Sequence, residues 1–153
     1  MPDRLRVVIG VGNPGRGDDG IGRLIAQRLR DSLPADVRIE EQDGSAAPLI
    51  ERLGGADSVW LIDAAVSGAP AGTIHRIDCN ATEALPTRSS ASSHGLGVAA
   101  AIALASTLRG LPRVCILYTV EGATFTAGAA ISPAVIEAAD ALVALLVKEL
   151  CPG

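Results

Sequence analysis

The sequence predicts a single α/β domain with three layers (α/β/α), in which a twisted, mostly parallel sheet of about five strands has helices on both faces. Short β-branched runs alternate with segments of helical periodicity along the chain, which is typical of this fold class. The 153 residues suit one domain, residues 1–153, and no linker, repeat or low-complexity tract divides them. Hydrophobic residues make up 48% of the chain, which is enough to cover both faces of a sheet.

The first half of the chain divides into two strand–helix pairs. Residues 5–11 form a β-branched run that ends among glycines, which predicts a buried strand. Residues 21–30 place apolar side chains at helical spacing. Residues 37–41 are predicted as the second strand, and residues 46–53 as a short helix that ends at the next two glycines.

The second half of the chain repeats this alternation. Its elements, in chain order, are a strand over 58–62 that stops at Asp63, a weaker strand over 72–77, an Ala-rich helix over 95–108 and a buried strand over 113–119. The polar segment 78–93 and the glycine-containing segment 121–131 are predicted as loops. Ser132 is expected to cap a last helix, with Pro133 at its first position, that runs to about residue 150.

Composition excludes several classes of protein. The net charge is −4 and the charges are dispersed, which argues against a nucleic-acid partner. The three cysteines, Cys79, Cys115 and Cys151, have no zinc-ligand spacing and favour a reducing compartment. No secretory signal and no apolar stretch of about 18 residues is present. We therefore expect a cytoplasmic protein without a membrane span, and a monomer.

A glycine-rich loop follows the first predicted strand. From Gly10 to Gly15 it contains the spacing GxGxxG, so a nucleotide-binding module is one interpretation of the chain. However, Asp18 and Asp19 place two carboxylates where an anionic phosphate would lie. Either aspartate is expected to cap the helix that follows. Binding of NAD or ATP would support the nucleotide interpretation.

Three further observations concern chemistry at the carboxyl edge of the sheet. Ligand sites in α/β sheets lie beyond the carboxyl ends of the strands, here after Val11, Ile62 and Thr119. Asp63 directly follows a predicted strand, and His94 opens a predicted helix. With Asp19 they offer oxygen and imidazole ligands that suit nickel or zinc, although the spacing alone does not show that they converge.

Each of these residues also has an ordinary structural interpretation. Asp63 would serve equally well as a turn residue, and a single histidine in a polar loop is often incidental. Cys115 lies in an apolar strand and is expected to be an inert thiol, while His75 is interpreted as structural or surface. The sequence contains neither an HExxH motif nor a GxSxG motif, which excludes two common hydrolase types.

Four blocks of sequence, taken in order over nearly the whole chain, resemble the hydrogenase maturation proteases. The blocks are Gly10-Val11-Gly12-Asn13 with Gly17-Asp18-Asp19-Gly20-Ile21-Gly22, then Ile62-Asp63-Ala64 with Ser67-Gly68-Ala69-Pro70-Ala71-Gly72-Thr73, then Ser92-Ser93-His94-Gly95-Leu96-Gly97, and finally Glu121-Gly122 with Ile131-Ser132-Pro133-Ala134-Val135. Asp19 stands where several members have glutamate. The first block also resembles the opening of peptidyl-tRNA hydrolases, but the histidine-bearing stretch of that family is missing.

The resemblance implies an endopeptidase that removes the C-terminal extension of a nickel-iron hydrogenase large-subunit precursor. It implies that Asp19, Asp63 and His94 bind the nickel, which the substrate supplies, and that these three residues are catalytic. Asp18 is added as a further catalytic candidate, with a pKa that its acidic neighbour is expected to raise. A chaperone that binds nickel or the precursor without cutting it remains the other alternative.

Overall fold

The computed structural model describes residues 4–81 and 97–151. In these segments one five-stranded sheet has the order β2-β1-β3-β5-β4. The strands are β1 (Arg6–Val11), β2 (Val37–Gln42), β3 (Ser58–Ala65), β4 (Ile74–Asp78) and β5 (Val114–Glu121). The helices are α1 (Ile21–Leu29), α2 (Ala46–Gly55), α3 (Gly97–Leu108) and α4 (Pro133–Leu150). All neighbouring strands are parallel except β4, which pairs antiparallel with β5.

Helices cover both faces of the sheet, which confirms the predicted three-layer α/β/α fold. Successive side chains of a strand point to opposite faces, and the two faces pack into separate apolar clusters. Even-numbered residues of β1, β3 and β5 pack with α1 and α4, whereas odd-numbered ones pack with α2 and α3. Both clusters consist mainly of aliphatic side chains, because the sequence contains only one Trp, one Tyr and one Phe.

The carboxyl ends of the three central strands meet at one edge of the sheet. Gly10 of β1 pairs with Ile62 of β3, and Asp63 pairs with Thr119 of β5. Parallel strands must be joined by crossover connections, so the segments that follow them gather at this edge. We call it the carboxyl edge.

Close backbone packing places the start of α1 against this edge. A Cβ atom added to Gly22, in the first turn of α1, would lie 2.4 Å from the carbonyl oxygen of Ile62 and 2.5 Å from that of Val11. One added to Gly10 would lie 2.2 Å from the carbonyl oxygen of Gly22. Only glycine allows the helix to approach two strands so closely.

Several predicted boundaries were wrong. β3 does not stop at Asp63 but continues to Ala65, because β5 itself runs to Glu121 and pairs with the added residues. Helix α2 does end at the predicted pair of glycines, but it includes them and so runs two residues beyond the predicted 46–53. Of the predicted loop 78–93, residues 82–93 lie outside the described residues, as do residues 95 and 96 of the predicted third helix.

None of the four described helices combines the length and hydropathy needed to cross a bilayer.

Candidate active site

Four buried acids lie at the carboxyl edge. Asp18 is 0% exposed, Asp19 3%, Asp63 1% and Glu121 1%. In residues 4–81 and 97–151, no other Asp, Glu, Lys or Arg is buried. Burying a carboxylate is costly unless hydrogen bonds or opposite charges compensate. Four such groups at one edge therefore mark the part of the molecule where acid chemistry is concentrated.

Asp19 is held at the end of β1 by a tight turn of the glycine-rich loop. Its Oδ2 accepts a hydrogen bond from the backbone N–H of Asn13 at 3.0 Å. Gly12 has a φ of 143°, and a Cβ atom there would lie 1.9 Å from the carbonyl oxygen of Asp19. The loop therefore requires glycine at this position in order to fold back over β1 and place Asp19 at its end.

Asp18 connects the same loop to the segment that follows β5. Its carboxylate accepts the backbone N–H groups of Ala123, Thr124 and Ser132 at 2.7–3.0 Å, and the hydroxyl of Ser132 at 2.8 Å. Burial raises the pKa of Asp18, but these hydrogen bonds outweigh burial and the pKa is lowered overall. The prediction of a raised pKa was wrong, because four donors face this carboxylate.

The aspartates predicted to cap α1 do not cap it. Gly20 occupies the cap position of α1, and no side chain caps either that helix or the 3₁₀ turn before it, Gly17–Gly20. Ser132 occupies the cap position of α4, with Pro133 directly after it, as predicted, but its hydroxyl accepts no hydrogen bond from the helix and instead donates to Asp18. Both aspartates lie in the 3₁₀ turn before α1 begins, and Asp18 accepts hydrogen bonds from the segment after β5 instead.

Asp63 lies inside β3 on the face that packs against α3. It is in register with Thr119 of β5, which is in register with His75 of β4. Side chains at paired positions point to the same face, so Asp63, Thr119 and His75 form one row across three strands. The Oδ1 of Asp63 accepts the N–H of Ala64 at 2.9 Å.

Glu121 is a buried acid that the sequence analysis missed. It ends β5, opposite Ala65 of β3. Both of its carboxylate oxygens lie 3.1 Å from the backbone nitrogen of Ser67, whose hydroxyl also donates to Oε1. The Nε2 of His75 lies 3.7 Å from Oε1 and forms an ion pair with it whenever the imidazole is protonated.

The loop that follows β3 begins near Ser67, where the side chain of Glu121 holds it, and the backbone of Glu121 holds the end of this loop. Its carbonyl accepts the N–H of Gly72 at 2.8 Å, and its N–H donates to the carbonyl of Thr73 at 2.9 Å. Glu121 thereby fixes both ends of the segment that follows Asp63. Ligand sites in such sheets lie beyond the strand ends. Had the predicted strand 113–119 been extended by two residues, this rule would have pointed to Glu121.

His94, the third predicted ligand, lies outside the described residues. It precedes Gly97, the first residue of α3, by three positions. Within residues 4–81 and 97–151, no group of three or more His, Cys, Asp or Glu side chains is arranged to hold a metal ion. The Asp19, Asp63 and His94 set therefore stays a prediction.

The cysteines of β5 and of the turn after β4 form a buried pair. Cys115 is 0% exposed, and its carbonyl accepts the N–H of Cys79 at 2.8 Å. A hydrogen bond with Cys79 and burial both raise the pKa of the Cys115 thiol. Because a nucleophile needs the thiolate, burial and the raised pKa favour the unreactive thiol that the sequence predicts.

The glycine-rich loop uses its own N–H groups within the protein. Gly12 donates to the carbonyl of Gln42, Gly15 donates to the side chain of Asn13, and Arg16 donates to the carbonyl of Asn13. A phosphate-binding loop instead directs several such groups at its ligand. This arrangement argues against the nucleotide-binding interpretation.

Fold and site together define an α/β protein with an acid-rich active-site edge beyond the carboxyl ends of its central strands. The sequence model described as Hydrogenase maturation protease (HycI) matches residues 30–149. The chain belongs to this family and is therefore an endopeptidase of hydrogenase maturation. None of the curated proteins compared with the chain matches it.

Solved structures of such proteases have the same fold. The nickel-iron hydrogenase maturation protease HycI from Thermococcus kodakarensis KOD1 is 25% identical, with a TM-score of 0.74 over 97% of this chain and 92% of that one. The hydrogenase maturating endopeptidase HybD from E. coli is 24% identical, with a TM-score of 0.77 over 95% and 91%. The hydrogenase 2 maturation peptidase from Thaumarchaeota archaeon SCGC_AB-539-E09 is 21% identical, with a TM-score of 0.70 over 98% and 100%.

Proposed function

We propose that this chain removes the C-terminal extension from the precursor of a nickel-iron hydrogenase large subunit, and that it acts only after the precursor has received nickel. The observation that supports this most strongly is the gathering of four buried acids, Asp18, Asp19, Asp63 and Glu121, at one edge of the sheet. Carboxylates with a nearby imidazole suit a borderline divalent ion such as nickel.

Asp19, Asp63 and His94 would complete the coordination of the nickel that the precursor carries. Asp19 is fixed by the glycine turn after β1, and Asp63 by the pairing of β3 with β5. His94 shortly precedes α3, which packs on the face that Asp63 occupies. Since only a loaded precursor supplies nickel for these residues to bind, an empty precursor binds more weakly, and specificity arises from that difference.

Cleavage requires a water oxygen to attack the carbonyl carbon of the scissile peptide. A base takes the proton of that water, the C–N bond breaks, and the leaving nitrogen receives a proton. Nickel in the substrate would polarise the carbonyl or the water, and the ligands would orient the peptide beside it. We assign the base to Asp19, through a carboxylate oxygen that does not bind the nickel.

Asp18 is a poor base, since four donors hold its carboxylate and its pKa is lowered. In this proposal Asp18 positions its neighbour. It ties the loop that carries Asp19 to the segment after β5, while Glu121 ties down the loop after Asp63. Asp18 and Glu121 thus hold in place the segments next to Asp19 and Asp63, the two acids that are proposed to bind the nickel.

The test is incubation of the purified protein with nickel-loaded and nickel-free precursor, followed by mass measurement of the products. Removal of the extension from the loaded precursor alone is expected. Binding of the loaded precursor without any mass change would instead identify a chaperone. Equal cleavage of both precursors would refute nickel recognition but leave the peptidase activity intact.

A further inference from the structure

Two free thiols face each other where the edge strand β4 ends. Asp78 of β4 is in register with Ile116 of β5, so the residue after the first, Cys79, lies opposite the residue before the second, Cys115. The N–H of Cys79 donates to the carbonyl of Cys115 at 2.8 Å. The two cysteines therefore extend the antiparallel ladder by one hydrogen-bonded pair, although β4 itself ends at Asp78.

The spacing of such a pair suits a covalent bond between the two sulfur atoms. Directly opposite residues of a hydrogen-bonded antiparallel pair have Cα atoms about 5.5 Å apart, and disulfides span Cα separations of about 4.4–6.8 Å. The two side chains point to the same face of the sheet, and both pack in the apolar cluster against α3. The two thiols share a hydrogen bond, so their sulfur atoms are already in contact.

A disulfide at this position would be strained. The Cβ atoms of opposite residues are about 4.5–5.5 Å apart, with the wider spacing in hydrogen-bonded pairs, whereas a disulfide holds its Cβ atoms about 3.5–4.5 Å apart. Oxidation would therefore pull the end of β4 toward β5. Strained disulfides are easily reduced, so the geometry favours a reversible bond over a permanent crosslink.

The two buried thiols differ in reactivity. Cys79 is 5% exposed and Cys115 0%. The hydrogen bond from Cys115 lowers the pKa of the Cys79 thiol more than burial and the charge of Asp78 raise it. The same hydrogen bond, together with burial, raises the pKa of Cys115. The pair therefore ionises first at Cys79, and Cys115 reacts only with a group that its neighbour already carries.

We propose that Cys79 and Cys115 form a reversible oxidation site whose oxidant is a small peroxide. The Cys79 thiolate attacks one oxygen of hydrogen peroxide, the O–O bond breaks, and Cys79 becomes a sulfenic acid. The leaving hydroxide takes up the proton that Cys79 released. The Cys115 sulfur then attacks the Cys79 sulfur, the S–O bond breaks, and the oxygen leaves as water with the proton of Cys115. Two thiols are thus oxidised to one disulfide, and the peroxide is reduced to two molecules of water.

The contact between the thiols gives the pair its purpose. A sulfenic acid without a thiol beside it is oxidised further to sulfinic acid, which reduced thiols do not reverse. Cys115 intercepts the sulfenic acid, and a small thiol such as glutathione then restores both cysteines by exchange. Cys115 is the second residue of β5, so the pair lies at the opposite end of this strand from the carboxyl edge, and the inference does not depend on the proposed function.

The experiment treats the folded protein with hydrogen peroxide, blocks the remaining thiols with N-ethylmaleimide and maps the tryptic peptides by mass spectrometry. Cys151→Ser serves as the background, because it removes the third free thiol. Peptides joined through Cys79 and Cys115, lighter by two hydrogen atoms, are expected, and excess reduced glutathione should return both thiols. The absence of joined peptides, or a bond that excess glutathione leaves intact, would overturn the proposal.

Two further variants in the same background test the order of the steps. In Cys115→Ala, peroxide should carry Cys79 on to sulfinic acid, because no thiol intercepts the sulfenic acid. In Cys79→Ala, burial still disfavours the thiolate, and Cys115 should oxidise at least about tenfold more slowly than Cys79 does in the other variant. Alanine replaces each thiol, since serine would bury a hydroxyl group.

The outcome of this comparison is decisive for the assigned roles. Equal oxidation rates of the two single cysteines, or a Cys79 sulfenic acid that persists in Cys115→Ala, would refute them. Circular dichroism at 222 nm checks that both variants keep the fold. The joined peptides of the background protein test the bond itself even where a variant fails to fold.

Discussion

Individual acids at the carboxyl edge play two different parts. Asp18 and Glu121 are surrounded by backbone donors of the segments around residues 123–132 and 67–73, and they fix those segments in place. Asp19 lies beside the end of β1 and Asp63 lies two residues before the end of β3, where the proposed substrate would approach. Burial alone does not distinguish the two parts, because all four carboxylates are almost fully covered.

The proposed ligands can be tested by single substitutions. Asp63→Asn and His94→Ala should each abolish processing of nickel-loaded precursor, because each removes a ligand for the substrate's nickel. The fold should persist, which far-UV circular dichroism would show. Lys148→Ala, on α4, serves as a surface control. Normal removal of the extension by either variant would refute the predicted set.

The hydrogen bonds of Asp18 predict a specific pH dependence of stability. Its pKa is lowered from 3.8 in the folded protein, so its contribution is present above that value and is lost as pH falls through the lower folded pKa. Asp18→Asn should lower the free energy of unfolding by about 3 kcal/mol at pH 7, since an amide turns a donor toward donors.

Urea unfolding from pH 7 down to pH 2 measures this effect. The difference between the wild type and Asp18→Asn should be largest near neutral pH and should shrink below about pH 4, as the wild-type carboxylate becomes protonated. A difference that stays constant over the whole range would show that the charge of Asp18 contributes nothing to stability.

Among the elements, α1 is positioned by close packing of its first turn against the sheet. Gly22 brings the start of this helix against the carbonyl oxygens of Ile62 and Val11, so the position of the glycine-rich loop follows from helix packing. The loop in turn positions Asp19. Residues that never touch a substrate therefore decide where this acid lies.

Gly22→Ala should lower the free energy of unfolding by about 3 kcal/mol, because the new methyl group would meet backbone atoms that cannot move independently. Gly55→Ala is the matched control. A Cβ atom there has nothing within 4 Å, and alanine at this last residue of α2 should be neutral or stabilise by up to about 1 kcal/mol. Equal unfolding midpoints for the two variants in guanidinium chloride would contradict this assignment.

At the scale of the whole molecule, one polar cluster ties the last helix to the sheet. Glu149 of α4 accepts hydrogen bonds from Trp60 of β3 at 2.7 Å and from Tyr118 of β5 at 2.5 Å. Arg76 of β4 donates to it at 3.1 Å. Three strands and the last helix thus share one carboxylate, whose pKa is lowered because these hydrogen bonds outweigh its burial.

This arrangement predicts a single cooperative unfolding transition. Trp60 is the only tryptophan, so its fluorescence reports on the contact between sheet and α4, while circular dichroism at 222 nm reports on all helices. The two signals should give coincident midpoints in urea, as expected for one domain. Separate midpoints would show that the last helix unfolds independently of the sheet.

Local sequence determined most of the elements. Apolar periodicity placed β1, α1 and α4 within a residue or two, because burial of one face is what holds such elements in place. Asp63 was recognised as a candidate because it directly follows an apolar run, whereas the Asp18-Asp19 pair was recognised from its place in the glycine-rich loop before the first helix. The order of blocks along the chain was sufficient to indicate the family.

Tertiary structure alone decided the partners of these residues. β3 passes Asp63 because β5 offers further backbone groups to pair with, and Asp18 binds donors more than a hundred positions away instead of capping the nearest helix. Glu121 and His75 became neighbours only through the antiparallel β4–β5 pairing. The periodicity of apolar residues indicates which side of a helix or strand is buried. The hydrogen-bond partners of a residue depend on which distant backbone groups the folded chain brings close to it.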